Sequence, residues 1–178
     1  HTDMYGRDAN DVDVRTGLAG SYYRLGASYF LLGNTPESEK YFRQSLELRT
    51  ELAKSDSNNT AKQIDLLLST ARCASHDETA RMAEDLLPRV ANDRGNLYNV
   101  CCAYSICAAR GAGHERTPQE QAAAKRYTDA AIEALAKAVA LGYNDLMALE
   151  TDPELDEIRT HTGFGPLIER IKENQTVQ

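Results

Sequence analysis

The chain has 178 residues, a net charge of −7 and a sequence pI near 5.1. A phosphate-tracking surface needs a basic stripe, and no Lys/Arg cluster occurs here, so no nucleic-acid partner is expected. The apolar stretches are too short and interrupted to span a bilayer, and no membrane insertion is expected of these residues. Ala, Leu, Glu and Arg are abundant, Trp is absent and only five prolines occur, a composition that favours helix.

Residues 1–11 are polar and read as a lead-in. The start at His1-Thr2-Asp3 carries no signal-peptide pattern, and the segment is expected to belong to a larger protein. From about Val12, Leu18, Tyr22, Leu25, Tyr29 and Leu32 fall at helical spacing, and Gly33-Asn34 ends that helix. Thr35 is placed to cap the next helix, with Pro36 in its first turn and Phe42, Ser45, Leu46 and Leu52 on its inner face. Residues 55–59 form a loop by composition. A third helix is expected over Thr60–Ala74, through Ile64, Leu67, Leu68 and Ala71.

Ser75 and Glu78 have capping-box spacing, so a fourth helix should begin there, carry Ala80, Ala83, Leu86 and Leu87, and end near Pro88. Leu97, Val100, Cys101, Tyr104 and Ala108 mark a fifth. After a loop over Arg110–Arg116, Thr117-Pro118-Gln119-Glu120 combines a cap, an early proline and a capping-box Glu. The sixth helix then runs to Leu141 and stops at Gly142. Short helices are expected near Asp145–Glu150, Pro153–Arg159 and Phe164–Glu173. No stretch alternates with the period of a strand.

Helix pairs at a period near 34 residues mark tetratricopeptide repeats (TPRs). Residues 19–52 resemble that family: Tyr22, Leu25-Gly26 and Tyr29 on the first helix, Gly33 at the turn, then Ser38, Phe42 and Ser45. Gly26 and Ser38 would let the helices approach closely while Tyr22, Leu25, Tyr29 and Phe42 fill one buried cluster. Degenerate second and third copies are expected at Ile64–Leu87 and Leu97–Ala138, with Glu84 standing where the large aromatic should be. The expected fold is all-α: a TPR-like right-handed superhelix of about three antiparallel helix pairs. Residues 12–178 would form a single domain whose segment 144–178 is a helical cap, with Leu146, Leu149, Leu155, Ile158, Phe164, Leu167 and Ile168 covering the last apolar face.

The segment Leu97–Ile171 is similar to the C-terminal tail of planctomycete-type bacterial serine/threonine protein kinases, most specifically at Ala138, Gly142, Tyr143, Leu149, Thr151-Asp152-Pro153, Leu155, Arg159 and Phe164. In those proteins a kinase domain precedes a TPR region, so the resemblance implies an accessory region. The kinase's own motifs are absent, and no phosphotransfer is assigned to these residues. The resemblance also implies that a membrane helix can stand between kinase and repeats, which would place the domain outside the cytoplasm. Cytoplasm is the default expectation.

Chemistry-bearing residues do not converge in the sequence. Cys73, Cys101, Cys102 and Cys107 lack a CxxC pair, and His1, His76, His114 and His161 lie in or beside loops without helical partners, so neither metal nor cofactor is expected. The acidic run Glu150, Asp152, Glu154, Asp156 and Glu157 suits helix starts better than acid–base work. What remains is a binding face on stacked first helices: Tyr23, Ala27, Phe30, Asp65, Ser69, Arg72, Tyr98, Cys102 and Ser105. Tyr23, Asp65 and Tyr98 occupy one row of the site where some TPR domains clamp a carboxylate, and Ala27, Ser69 and Cys102 the other, so that clamp is missing. The functional expectation is a non-catalytic module that binds a protein or peptide segment, with self-association as the alternative.

Overall fold

The structure is a computed structural model that describes residues 11–109 and 115–176. Among the described residues the regular structure is helical: α1 (Val12–Leu31), α2 (Thr35–Ser55), α3 (Thr60–Cys73), α4 (His76–Leu86), α5 (Arg94–Ala109), α6 (Pro118–Ala140), α7 (Leu146–Thr151) and α8 (Phe164–Thr176), with 3-10 turns at Leu87–Arg89 and Pro153–Leu155. The chain divides into two compact units, His1–Cys73 and Ala74–Gln178. The expected lead-in and most of the 110–116 loop lie outside the described residues, as do His1 and His114.

In the first unit α1, α2 and α3 pack in sequence order. α1 ends because Gly33 takes φ +72°, a left-handed conformation open to glycine at little cost. There the Asn34 N–H reaches the Tyr29 carbonyl (2.9 Å) and the Gly33 N–H the Phe30 carbonyl (3.0 Å), satisfying carbonyls that the helix leaves open. The cap of α2 is one residue earlier than the sequence suggests: Asn34 accepts from the Glu37 N–H, and Thr35 is already helical.

The α1–α2 seam is tight because its α1 side is small. Ala19 and Gly26 are buried there. Ser45 Oγ donates to the Ala19 carbonyl and Ser38 Oγ to the Gly26 carbonyl, each at 2.9 Å, so the small residues of α2 also bridge backbone to backbone. Phe42 is buried against the open side of Gly26, where an added Cβ would lie 2.7 Å from its ring. Leu52, Ala53, Ile64, Leu67 and Ala71 complete the core.

The expected cluster of Tyr22, Leu25, Tyr29 and Phe42 forms only in part. Phe42 is buried and the two tyrosines are half-buried, but Leu25 is 41% exposed. Close approach draws the glycine–alanine face of α1 to α2, and the leucine stripe Leu18, Leu25 and Leu32 is turned outward.

In the second unit α5 pairs with α6 and also contacts α4. Ser75 caps α4, and Thr117 and Glu120 close a full capping box at the start of α6. Gly142, at φ +88°, ends α6 as Gly33 ends α1, with the Tyr143 N–H on the Ala138 carbonyl at 2.9 Å. The expected helix over Pro153–Arg159 is a single 3-10 turn followed by hydrogen-bonded turns. Leu149, Leu155, Ile158, Phe164, Ile168 and Ile171 are buried, and Leu146 and Leu167 half-buried, as α8 packs on α6 and the 3-10 turn on α5.

Candidate functional site

The nine sequence-designated residues separate into two groups. Tyr23, Ala27, Phe30, Asp65, Ser69 and Arg72 belong to the first unit, and Tyr98, Cys102 and Ser105 to the second.

In the first unit α1 presents Tyr23, Ala27 and Phe30 at i, i+4 and i+7, the spacing of one helix face. α3 presents Asp65, Ser69 and Arg72 at the same intervals. The Arg72 guanidinium lies between two rings, 5.3 Å from the Phe30 centroid and 5.1 Å from that of Phe42. Phe42 meets Tyr23 edge-on at 5.3 Å, and the Arg49 guanidinium covers the Tyr23 ring at 4.7 Å. A continuous ladder thus runs from Phe30 through Arg72, Phe42 and Tyr23 to Arg49, three cation–ring contacts and one edge-on ring pair, each favourable by ring electrostatics.

Arg49 is the residue that sequence reading missed. It is buried to 7% exposure on α2, yet it organises this face. Its Nη1 donates to the Asp65 carbonyl (2.8 Å) and to Ser69 Oγ (3.0 Å), and its Nη2 lies 3.5 Å from the Asp65 carboxylate. Ser69 is wholly buried, 3.1 Å from Ser45, and its hydroxyl belongs to the α2–α3 seam instead of offering itself to a ligand. Phe30, at 56% exposure, is the most open aromatic of the group, and Tyr23, Ala27, Asp65 and Arg72 are half-buried around it. The only sequence signal for Arg49 was its position on the inner face of α2, seven residues after Phe42 and four after Ser45.

The second group does not form an open row. Cys102 and Ser105 are buried, because α5 is covered nearly all round from Leu97 to Ala108. Tyr98 stacks on Tyr143 (4.7 Å between centroids, planes 10° apart) and its hydroxyl donates to Asp152 at 2.7 Å. Asp152 also accepts from the Glu154 N–H, and Arg159 donates to its carbonyl. The resemblance motif Thr151-Asp152-Pro153 therefore ties the C-terminal turns to α5.

Cys102, Asp152 and Glu154 place ligand atoms within 4.8 Å of one another, a juxtaposition that sequence spacing did not reveal. Burial first, and then the neighbouring Cys101 and carboxylates, push the Cys102 thiol well above its ordinary value, and burial likewise raises Cys101. A neutral thiol beside a carboxylate already held by Tyr98 and by a backbone N–H reads as core packing under a capped turn. A shallow cleft of about 500 Å³ lies elsewhere in this unit, lined by Arg81, Glu84, Tyr104 and Arg126 among others. There Arg126 covers the Tyr127 ring at 4.9 Å, and Tyr127 donates to Asp77.

Residues 19–51, the α1–α2 pair, match the family model of the Tetratricopeptide repeat. No curated protein and no solved structure matches the chain. The chain therefore contains a TPR-like helical-repeat region within an all-helical architecture, a frame consistent with a scaffold that binds protein or peptide. No helix among the described residues is long and apolar enough to cross a membrane.

Proposed function

We propose that the chain is a non-catalytic interaction module that binds a peptide or protein segment on the α1–α3 face of its first unit. The observation that carries this reading is the cation–ring ladder from Phe30 to Arg49 with its open end at Phe30. A ligand segment lying along α1 would set an apolar side chain on Phe30 and Ala27. The half-exposed Asp65 carboxylate would then orient a donor. Aromatic anchors of this kind supply most of the binding energy once water is excluded around them. The Leu97–Ile171 resemblance supports a finer reading, in which the module is the accessory region of a bacterial serine/threonine protein kinase. The full reading frame tests that reading, since an upstream kinase domain is required by it.

Binding is tested with a peptide array probed by the 178-residue chain, followed by fluorescence anisotropy on the best peptide. Phe30→Ala should weaken binding at least about tenfold, the loss of roughly 1.4 kcal/mol of anchor contact, without lowering the melting temperature. Unchanged affinity in Phe30→Ala and Tyr23→Ala, with helix content intact, would refute the α1–α3 face.

A further inference from the structure

The outward face of α1 carries an apolar stripe that the site above does not use. Leu18, Leu25 and Leu32 are exposed along α1 and its C-cap, and the half-buried Tyr22 and Tyr29 lie between them. Leu18, Tyr22, Leu25, Tyr29 and Leu32 follow spacings of 4, 3, 4 and 3, the stripe of a helix that packs lengthwise on another helix.

Three observations bear on what covers the stripe. It is continuous with the α1–α2 interface, because Tyr41 of α2 packs on Tyr22 at 6.0 Å and stacks on Tyr29 at 5.5 Å with planes 3° apart. Its flank needs no water: Ser21 Oγ donates to the Gly17 carbonyl and Ser28 Oγ to the Arg24 carbonyl, both at 2.9 Å, so docking would strand neither hydroxyl. No charged residue of α1 falls within the stripe: Arg15 at its N-terminal end is paired with Glu51, and the cations at its edges are Arg24, 3.3 Å from Ser21 Oγ, and Lys40, 5.0 Å from the Tyr41 ring centre. The stripe itself is apolar.

Its spacing, however, is complementary to itself. When two copies of α1 run antiparallel about an axis between Tyr22 and Leu25, Leu18 meets Tyr29 of the other copy and Tyr22 meets Leu25. The same two contacts then recur across the axis, as a two-fold interface requires. The geometry points to this face as a self-association surface: α1 of one copy docks antiparallel on α1 of a second. A 20-residue helix is about 30 Å long, so a stripe about 10 Å wide offers on the order of 300 Å². A stable dimer needs roughly 800 Å² per partner. The dimer is therefore weak and reversible. This inference is independent of the peptide-binding reading, which uses the opposite side of α1.

The test is sedimentation of the 178-residue chain from about 10 µM to about 500 µM, a range that brackets a transient interface. The wild type should move toward the dimer as concentration rises. Leu25→Glu should raise the dissociation constant about tenfold or more, and Leu25→Ala, which keeps a helix-favouring residue, should raise it by a smaller factor. Met147→Ala, at an exposed apolar site in the second unit, should leave it unchanged. A wild type that stays monomeric throughout overturns the proposal. So does self-association that survives both Leu25 variants while circular dichroism reports an intact fold.

Discussion

Gly26→Ala is the sharpest probe of the α1–α2 seam. The new Cβ would lie 2.7 Å from Phe42 Cδ1 and 2.9 Å from two further atoms of the same ring. That ring is held by Tyr23 on one side and Arg72 on another, and it cannot simply rotate away. Overpacking of this kind costs about 1–3 kcal/mol, and the upper half applies where a ring rather than a flexible tip must yield. Against it stands the helix preference of alanine over glycine, about 1 kcal/mol. The net expectation is a loss of about 1–2 kcal/mol, with the Ser38 bond to the Gly26 carbonyl lengthened as α1 lifts. Gly17→Ala supplies the contrast, because an added Cβ there meets nothing within 4 Å. It should gain about 0.5–1 kcal/mol. Urea denaturation with unchanged slope reads both. A Gly26→Ala chain as stable as wild type would mean that the seam gives way freely, and the close-approach account of α1 would fail.

Three further outcomes follow from the second unit and the cysteines. Cys101, Cys102 and Cys107 are buried and Cys73 is half-buried, so an aromatic disulfide reagent should titrate one thiol rapidly in the folded chain and four after denaturation; rapid reaction of a second would contradict the packing of α5. Burial raises the pKa of Cys101, Cys102 and Tyr98, holding them neutral, and pushes that of Tyr104 up to about 12. Their contribution to stability is therefore full below the unfolded thiol value, about 8.5, and falls as pH climbs through and above it, because the unfolded chain releases protons that the folded chain retains. Thermal melts from pH 7 to 10.5 should show that decline. Asp152→Ala removes a cap worth about 1 kcal/mol and leaves the Tyr98 hydroxyl without its acceptor, for a total of about 2–3 kcal/mol. Tyr98→Phe should cost about 1 kcal/mol, and the reverse order would show that the Tyr98–Asp152 bond does not hold the turn.

Much of this fold is written locally. Gly33 and Gly142 stop their helices because both need positive φ, and a glycine after an apolar run announces that need. Thr117 and Glu120 spell a capping box within four residues, and the box forms. What sequence could not assign was which face of α1 turns inward. Leucine spacing marks an apolar stripe but not its direction, and in α1 direction is set by the small residues Ala19 and Gly26, which permit closer approach than leucines do. The burial of Cys102 and Ser105 had a readable signal, since α5 is apolar or small on every side and such a helix lies inside. The bond from Tyr98 to Asp152 joins residues 54 apart and depends on packing that no local rule encodes.

Under the proposed function, Arg49 sets the character that the binding face of the first unit would have. A buried guanidinium is tolerated only where its charge is met, and here the Asp65 carboxylate and carbonyl and Ser69 engage its two Nη atoms while its face lies on the Tyr23 ring. Such a network fixes α3 against α2, since sliding either helix by a turn would strand the charge. It also consumes polar capacity that an outer face would otherwise offer. Arg72 is engaged by two rings in the same way. The surface left to a ligand is accordingly aromatic and apolar at Phe30 and Ala27, with Asp65 as its exposed carboxylate. Binding there gains chiefly from excluding water around a ring, and few new ion pairs form on association. Affinity should then change little with ionic strength, unlike a carboxylate clamp built on open lysines.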